Sequence, residues 1–357
     1  MIRVLVVDDS AFMRKMIADM LSKHAEIEVI DKARNGKDAV DKVMKLHPDV
    51  VTMDVEMPVM SGLEALKEIM QTRPTPVVMV SSITKKGTET TIKAMEYGAF
   101  DFISKPSGSI SLDINLVEKD LIEKVIHASK VSIHKINHSP IKNSREGKIE
   151  HVIPISDSKP KYRESGTGMQ TIVAIGTSTG GPKALHQVIT KLPSDFPYPI
   201  LIVQHMPKGF TKSLSERLDS LSAITVKEAK DGEILKKGIA YIAPGGYHLK
   251  VRTIGTSVAI HLDQSELVNG HRPSVDTMFL SLSSVKVKKV IAVIMTGMGT
   301  DGKKGLVELK EKLPTLAIAE SEKTSIVFGM PKSAIETSLV DKELDLDKIA
   351  KYLVEQS

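Results

Sequence analysis

Short apolar runs alternate with helical patterns through most of the 357-residue chain. Residues 13–21 and 63–70 show the three-and-four apolar spacing of amphipathic helices. This alternation predicts strands joined by helices, and therefore a mainly parallel sheet with helices on both faces. The predicted strands of the first half are Val4–Val7, Val29–Ile30, Val50–Met53, Val77–Val80 and Phe100–Ile103. A last helix of this half fits the apolar spacing over 116–126.

The same alternation resumes after residue 169. The predicted strands there are Ile172–Ile175, Ile200–Val203, Ile224–Val226, Val290–Met295 and Leu316–Ala319. The predicted helices are Lys183–Leu192, Phe210–Leu221, Ser274–Leu282, Lys303–Leu309 and Leu344–Leu353. The stretch 238–251 breaks the pattern, because two strand-like runs flank Pro244, Gly245 and Gly246. It predicts an antiparallel hairpin about that turn.

The chain is too long for one typical hydrophobic core, so two domains are expected. Residues 137–168 show no sustained period and contain many Ser, Pro, Gly and Lys residues, which predicts a flexible tether. The predicted division is a first domain over 1–136, a linker over 137–168 and a second domain over 169–357. The expected fold class is α/β, with a doubly wound, mainly parallel sheet in each domain. The second domain should be Rossmann-like with a β-hairpin insertion.

Composition excludes several kinds of function. The chain has no cysteine, which rules out disulfides, thiolate catalysis and cysteine-based zinc sites. The N-terminal apolar run is short, and no stretch reaches the roughly 18 apolar residues that cross a bilayer. We therefore expect a cytoplasmic protein with no direct membrane insertion. The formal net charge of +5 is small, Trp is absent, and no aromatic residues interleave the basic clusters, so nucleic-acid binding is not expected.

Polar side chains end several strands of the first half. Asp8 and Asp9 end the first run, Asp54 the third and Ser81 the fourth, while Lys105 follows the fifth. Because the carboxyl ends of parallel strands meet at one edge, these groups should converge. Three carboxylates repel one another and need a cation, and oxygen ligands without His or Cys suit Mg²⁺. Helix capping could explain Asp8 or Asp9 alone, but it does not explain the whole set.

The motifs of the first half resemble the receiver domain of bacterial response regulators, which has a flavodoxin-like fold. The residues that carry the resemblance are Val6–Ser10, Met53–Pro58, Val80–Ser82 and Ser104–Pro106. The resemblance implies that a partner histidine kinase transfers a phosphoryl group to Asp54. It also implies that Asp9, Asp54 and the backbone carbonyl of Glu56 hold Mg²⁺, with Asp8 nearby.

The same resemblance assigns the switch residues. Lys105 would pair with the phosphate and Ser81 would move to meet it. Phe102 would be the aromatic switch residue, and since it has no hydroxyl it can switch only by a change in burial. A phosphoryl group adds about −1.5 to −2 charge and three acceptors, enough to reposition a hydroxyl and a lysine.

A glycine-flanked serine follows the first strand of the second half. Ile172–Ile175 leads into Gly176–Gly181, with Ser178 in the middle and a helical pattern next. Glycines allow a sharp strand-to-helix turn that exposes a serine hydroxyl beside the free N–H groups of a helix. The functional interpretation is a nucleophile on an elbow. The alternative is that Ser178 only caps the helix.

A serine nucleophile needs a histidine base and an acid that orients it. Of the eleven histidines, His205 alone lies at the end of a predicted strand of this domain. The strand Val290–Met295 continues into a glycine-rich turn that ends at Asp301. Alone, His205 could be a buried structural histidine and Asp301 a helix cap. Three matched residue types at three strand ends favour a Ser178, His205, Asp301 triad, whose chain order differs from that of α/β-hydrolases.

The motifs of the second half resemble the chemotaxis-specific protein-glutamate methylesterases/glutaminases. They are Gly176–Leu185, Gln204–Met206, Ala243–Gly245, His271–Asp276 and Thr296–Gly302. The resemblance implies hydrolysis of glutamyl methyl esters and deamidation of glutamines on methyl-accepting chemotaxis receptors. It implies no cofactor for ester hydrolysis and points to the amide of Met298 as an oxyanion donor. The residues alone leave the Gly299 neighbourhood or the Ser178 turn open for that role.

Other functions stay open at this stage. Gly176–Gly181 could cradle a phosphate in a binding module, although the chain has neither common nucleotide-binding glycine motif. The triad could also belong to another serine hydrolase, such as a general esterase or a peptidase. Arg272 is a candidate for substrate binding, with a salt bridge at a helix N-terminus as the alternative.

Overall fold

The computed structural model describes residues 1–105, 113–133, 135 and 171–357. The predicted linker, 137–168, lies outside the described residues, as does Pro106. No helix in the described part of the chain is both long and apolar enough to span a membrane.

The first domain is a five-stranded parallel sheet wrapped by helices. Its strands are β1 (Ile2–Val7), β2 (Ile27–Ala33), β3 (Val50–Asp54), β4 (Val77–Ser81) and β5 (Asp101–Ser104). Its helices are α1 (Ala11–Leu21), α2 (Gly36–Leu46), α3 (Gly62–Thr72), α4 (Lys85–Glu96) and α5 (Asp113–Lys130). The strand order is β2-β1-β3-β4-β5, which confirms the doubly wound prediction. The central strands are continuous apolar runs in the sequence, because helices cover both faces of the sheet.

The second domain contains a seven-stranded parallel sheet of order β14-β13-β12-β6-β7-β9-β8. Its strands are β6 (Thr171–Thr177), β7 (Ile200–Gln204), β8 (Thr225–Glu228), β9 (Ile239–Ile242), β12 (Lys289–Ile294), β13 (Thr315–Glu320) and β14 (Lys342–Leu344). Its helices are α6 (Gly181–Ile189), α7 (Phe210–Leu221), α8 (Val275–Leu282), α9 (Lys303–Lys312), α10 (Gly329–Ile335) and α11 (Leu346–Glu355). The strand order reverses between β6 and β12, where doubly wound folds place their sites.

The β-hairpin insertion exists, but the predicted turn was wrong. The hairpin joins β10 (His248–Ile254) to β11 (Ser257–Asp263) and turns at Gly255, which has a φ of 59°. The run before Pro244 is β9, which pairs in parallel with β7 and β8 in the main sheet. Its Ala240, Tyr241 and Ile242 are fully buried, so burial in the sheet outweighed the local turn signal. The Pro244–Gly246 segment is therefore a crossover out of the main sheet.

The two domains share a continuous core. The apolar cluster beneath α2, α3 and α4 extends into the cluster beneath α6, α7 and α11. The rings of Phe102 and Phe210 meet at the junction, with centroids 4.4 Å apart. The first domain is therefore packed directly against the second.

Candidate active site

Ser178 lies on the turn between β6 and α6. The N-cap of α6 is Gly180, with a φ of 77° and no side-chain cap, so Ser178 does not cap this helix. A Cβ on Gly180 would lie 2.9 Å from Ile326 Cβ, and one on Gly181 would lie 1.9 Å from Gln204 Oε1. Only glycine fits these two positions. The glycines that flank Ser178 therefore produce the sharp elbow that the sequence predicts.

Neighbouring strand ends hold the elbow from both sides. The Ser178 N–H donates to the Thr296 carbonyl at 3.0 Å, and Thr296 Oγ1 donates to the Thr179 carbonyl at 2.9 Å. On the other side Gln204 Nε2 donates to the Ser178 carbonyl at 3.0 Å, while Gln204 Oε1 accepts from Thr177 Oγ1 at 2.7 Å. Sequence analysis missed these roles of Thr296 and Gln204, although both residues stand inside the motifs that it singled out.

His205 and Asp301 form a buried pair beside the elbow. His205 Nε2 lies 2.8 Å from Asp301 Oδ2, and the two side chains are 6% and 2% exposed. His205 directly follows β7, whose last residue Gln204 is the register partner of Thr177, one residue before Ser178. His205 Nδ1 is buried and has no hydrogen-bond partner among the described residues. Nδ1 is therefore the ring nitrogen left for the Ser178 hydroxyl, and the two are not hydrogen-bonded in this structure.

Asp301 accepts hydrogen bonds from the start of α8 as well as from His205. Its donors there are Val275 N at 2.7 Å, Asp276 N at 3.1 Å, Ser274 Oγ at 2.9 Å and Asn269 Nδ2 at 3.0 Å. Burial favours the neutral carboxyl, but the hydrogen bonds from His205, Val275 and Asp276 outweigh it and lower the pKa of Asp301.

Asp301 does not cap the helix that follows it. The N-cap of α9 is Gly302, which makes no side-chain cap. Asp301 instead accepts N–H groups from α8, a helix that comes before it in the chain, and at the same time pairs with His205. Asp301 does bind free N–H groups at a helix start, as the capping alternative proposed, but the helix is α8 and not α9. Sequence spacing cannot show this contact, because α8 and Asp301 are far apart in the chain.

His271 stacks on His205, with ring centroids 3.8 Å apart and an interplanar angle of 15°. In the sequence His271 precedes a predicted helix and does not end a strand, so it was not a candidate for the base. The sequence feature that could have indicated a role for His271 is the motif His271–Asp276. The last residue of this motif, Asp276, donates its backbone N–H to Asp301. One segment of chain therefore contacts both the histidine and the acid of the candidate triad.

Two backbone amides beside Ser178 are available to an oxyanion. Gly297 lies against Ser178, since a Cβ built on Gly297 would be only 2.8 Å from Ser178 Cβ. Met298 is the next residue in the chain. In the described chain, no acceptor is found for the N–H of Met298 or of Thr179. Both locations named from the sequence, the Met298 region and the Ser178 turn, thus keep an unused amide.

Arg272 binds backbone carbonyls of the loop that precedes it. Its Nη1 donates to the carbonyls of Gln264 and Ser265 at 2.8 and 2.7 Å. These bonds hold the loop that precedes His271. No salt bridge of Arg272 is found among the described residues, and its Nε atom is buried without a hydrogen-bond partner there. Its candidate role in substrate binding stays a prediction.

The strand ends of the first domain form a second, acidic cluster. Ligand oxygens of Asp8, Asp9 and Asp54 lie within 4.8 Å of one another. Lys105 Nζ lies 2.9 Å from Asp8 Oδ2 and 2.8 Å from Asp54 Oδ2. Burial raises the pKa of Asp54 to about 6, against the opposing effect of Lys105. Three hard oxygen donors at this spacing fit a divalent cation such as Mg²⁺.

The remaining predicted residues of this cluster also lie close to it. The Glu56 side chain pairs with Lys86 at 3.3 Å, while its backbone N–H bonds Asp54. Ser81 is fully buried, and its Oγ donates to the Gly87 carbonyl at 3.2 Å. Phe102 is buried too, against Phe210 of the second domain.

The first domain contacts the elbow itself. Thr179 Oγ1 donates to Asp101 Oδ2 at 2.5 Å, and Thr179 is the residue after Ser178. Arg217 on α7 makes a bidentate ion pair with Glu96, with N–O distances of 2.7 and 2.8 Å. Met298 packs against the same apolar cluster as α5. The first domain therefore lies against the rim that carries Ser178.

The buried carboxyl of Glu320 binds the backbone of Thr296, which in turn holds the Ser178 turn. Glu320, at the end of β13, is fully buried and accepts from Thr296 N at 2.8 Å and from Thr324 Oγ1 at 3.0 Å. Burial raises the pKa of Glu320 to about 7. Sequence analysis gave no signal for it, because an acid at a strand end is ordinary until its burial is known.

Glu320 should make stability depend on pH. The folded carboxyl stays protonated up to about pH 7, whereas the unfolded one ionises near the ordinary glutamate pKa of 4.5, so the folded state loses stability as pH rises between these values. A Glu320→Gln variant lacks this loss. Its free energy of unfolding relative to wild type should therefore increase by up to about 3 kcal/mol from about pH 5 to about pH 8.

Denaturant unfolding of both proteins, followed by circular dichroism across this pH range, measures the difference. The same change at the exposed Glu343 is the control and should give a curve parallel to wild type. A constant difference between Glu320→Gln and wild type at all pH values would contradict the assignment.

Each domain of the chain matches a known protein family. Residues 173–353 match the family model for CheB methylesterase, and residues 4–116 match the model for the response regulator receiver domain. A protein-glutamate methylesterase/protein-glutamine glutaminase of Geobacillus kaustophilus is 54% identical over 354 residues, which cover 99% of this chain and 98% of that protein. The Bacillus subtilis protein of the same description is 49% identical over 352 residues, covering 98% and 97%.

A solved structure matches the second domain. The crystal structure of the CheB methylesterase catalytic domain of Thermotoga maritima is 49% identical, with a TM-score of 0.51. The match covers 53% of this chain and 99% of that one. The similarity therefore spans the whole catalytic domain of that relative.

Proposed function

The chain belongs to the CheB methylesterase family, and from that premise we propose that Ser178, His205 and Asp301 catalyse its reaction. It is a hydrolase, a protein-glutamate methylesterase/protein-glutamine glutaminase with a receiver domain, which makes it a phosphorylation-regulated enzyme of chemotactic adaptation. Its substrates are the glutamyl methyl esters and selected glutamines of methyl-accepting chemotaxis receptors. The products are glutamate with methanol or ammonia.

Ser178 Oγ attacks the side-chain acyl carbon of the substrate. His205 Nδ1 accepts the serine proton and then gives it to the leaving methanol or ammonia. Water, activated by the same nitrogen, releases the acyl group and restores the serine. One acyl-enzyme route thus serves ester and amide, which accounts for both activities at one site.

Asp301 and the free amides stabilise the charges that form. Asp301 accepts the Nε2–H of His205, which fixes the tautomer with its lone pair on Nδ1 and stabilises the imidazolium. We assign the developing oxyanion to the free amides of Met298 and Thr179, and such donors typically contribute about 10²- to 10³-fold in rate.

We place the domains at 1–136 and 169–357, joined by a linker over 137–168.

The observation that carries this proposal is the buried His205–Asp301 hydrogen bond beside Ser178. The test is methanol release from membranes that bear methylated receptors. Release separates this esterase from other serine hydrolases. Covalent labelling of Ser178 by an organophosphonate separates a hydrolase from a phosphate-binding module, which has no need of His205 or Asp301.

The receiver controls this site through Asp54. A chemotaxis histidine kinase supplies the phosphoryl group, and Asp9, Asp54 and the Glu56 carbonyl would hold Mg²⁺, with Asp8 nearby. The ion neutralises charge during phosphoryl transfer when bound. Lys105 and Ser81 then pair with the phosphate, and the change spreads to Phe102 and its contact with Phe210.

We infer that the unphosphorylated receiver blocks large substrates. Three contacts support this inference: Asp101 with Thr179, Glu96 with Arg217, and the α5 side of the receiver with Met298. The first is made by Thr179, the residue after the proposed nucleophile, and the last by Met298, a proposed oxyanion donor. A receptor segment cannot reach Ser178 while these contacts persist.

Removal of residues 1–136 should therefore raise methanol release from receptor-bearing membranes. The fragment must be shown to be folded, for example by its circular dichroism and its reaction with the phosphonate.

In the full chain, Arg217→Ala should also raise basal release several-fold, because the variant loses a partly buried bidentate ion pair.

The control for the interface is Lys212→Ala on the same helix. Lys212 is exposed, and its one ion pair in the described part of the chain is with Glu216, within α7. It should leave basal release unchanged. Unchanged or lower release from a folded 137–357 fragment would rule out the gating proposal.

A further inference from the structure

His271 covers one face of the His205 ring. The two rings are nearly parallel, with centroids 3.8 Å apart. A short bridge fixes the backbone of His271, since Val268 and His271 exchange N–H···O=C bonds of 2.9 and 3.1 Å. Asn269 and Gly270 make the turn of this bridge with φ values of 54° and 80°. The stacked ring is thus presented by a rigid piece of backbone.

His271 is built to stay neutral. Burial lowers the pKa of His271 to about 3, and the positive charges of His205 and Lys124 act in the same direction against the opposing Asp301. The ring nitrogens of His271 make no hydrogen bond to any other described residue. The side chain therefore offers a flat, uncharged aromatic face rather than a proton carrier.

The proposed base needs such a face. The hydrogen bond to Asp301 fixes one atom of the His205 ring, Nε2, but leaves the ring free to tilt about that bond. Packing against a parallel ring removes this tilt and keeps Nδ1 directed at the serine side. An aromatic face also favours a cation that develops in the adjacent ring.

We propose that His271 is a positioning residue that aligns His205 for proton transfer and stabilises its imidazolium form. This inference rests on the proposed catalytic role of His205. It assigns His271 no proton transfer of its own. The flat ring is what matters, so phenylalanine should replace it and alanine should not.

The test uses the full-length protein with His271→Phe and His271→Ala. The first readout is the rate of Ser178 labelling by an organophosphonate, which does not depend on the natural substrate. Alanine should slow the limiting labelling rate about tenfold, equal to about 1.4 kcal/mol in activation free energy, with half-saturation unchanged. Phenylalanine should stay within about threefold of wild type, because it keeps the stacked face.

The second readout is methanol release by the same variants. If wild type labels Ser178 but releases no methanol, the proposed substrate is wrong while the role of His271 can still be read from labelling. Thermal unfolding of each variant shows whether a rate loss reflects loss of fold.

Full activity in the alanine variant, or an equal loss in both folded variants, would overturn the proposal, because a flat ring at position 271 would then be unnecessary or insufficient for alignment of His205.

Discussion

Ser178→Ala should lower methanol release by about 10³-fold or more. The variant removes the only atom that forms the acyl-enzyme, and the residual rate comes from substrate binding and the oxyanion amides. The fold should be unaffected, because Ser178 Oγ makes no hydrogen bond in the described part of the chain, whereas the Ser178 backbone keeps its bonds to Thr296 and Gln204. Methanol release and phosphonate labelling measure the loss together.

The control is Ser220→Ala, near the end of α7, where Ser220 Oγ donates to the Arg217 carbonyl and to no other group among the described residues. It should keep wild-type activity and labelling. Turnover that survives in a folded Ser178→Ala protein would refute Ser178 as the nucleophile.

Asp301→Asn should cost about 10⁴-fold in kcat, with KM little changed. The asparagine amide can donate to His205 Nε2, which places the ring proton on Nδ1. That nitrogen then cannot accept the serine proton. The structure makes this prediction specific, because Nε2 is the atom that faces Asp301 and Nδ1 is the one without a partner among the described residues.

Asp276→Asn is the matched control. Asp276 is also buried at the start of α8, and it accepts from Gly305 N and Asn269 Nδ2 but does not contact His205. The Asp276→Asn variant should have a lower free energy of unfolding than wild type but a similar kcat. If folded Asp276→Asn and Asp301→Asn lose kcat equally, the effect lies in the packing of α8 and not in the tautomer of His205.

The sequence predicted the two sheets well because βα alternation has few physical solutions. Each apolar run of the first half became a strand within a few residues, and the same holds for the five runs named in the second. The exceptions were β14, which no predicted strand covered, and the turn at Pro244–Gly246. A local turn signal there competed with burial of Ala240, Tyr241 and Ile242 in the parallel sheet, and burial decided the outcome.

The triad candidates could be selected from the sequence for a topological reason. Residues that end parallel strands share one edge whatever the details of packing, so Ser178 and His205 were expected on the same edge. They are neighbours because β6 and β7 are adjacent strands. Asp301 was less certain, because it lies several residues beyond β12. Its place depends on the glycine-rich turn over 297–302 and on the donors of α8.

The sequence by itself determined the two parallel sheets, the glycine elbow of Ser178, and the groups gathered at each set of strand ends. These follow from local periodicity and from the geometry of parallel strands. Tertiary structure alone decided which nitrogen of His205 meets Asp301, the stacking of His271, the buried Glu320, and the contact of Asp101 with Thr179. Each of these joins segments far apart in the chain, and burial and loop conformation set them. No local pattern in the sequence records such contacts.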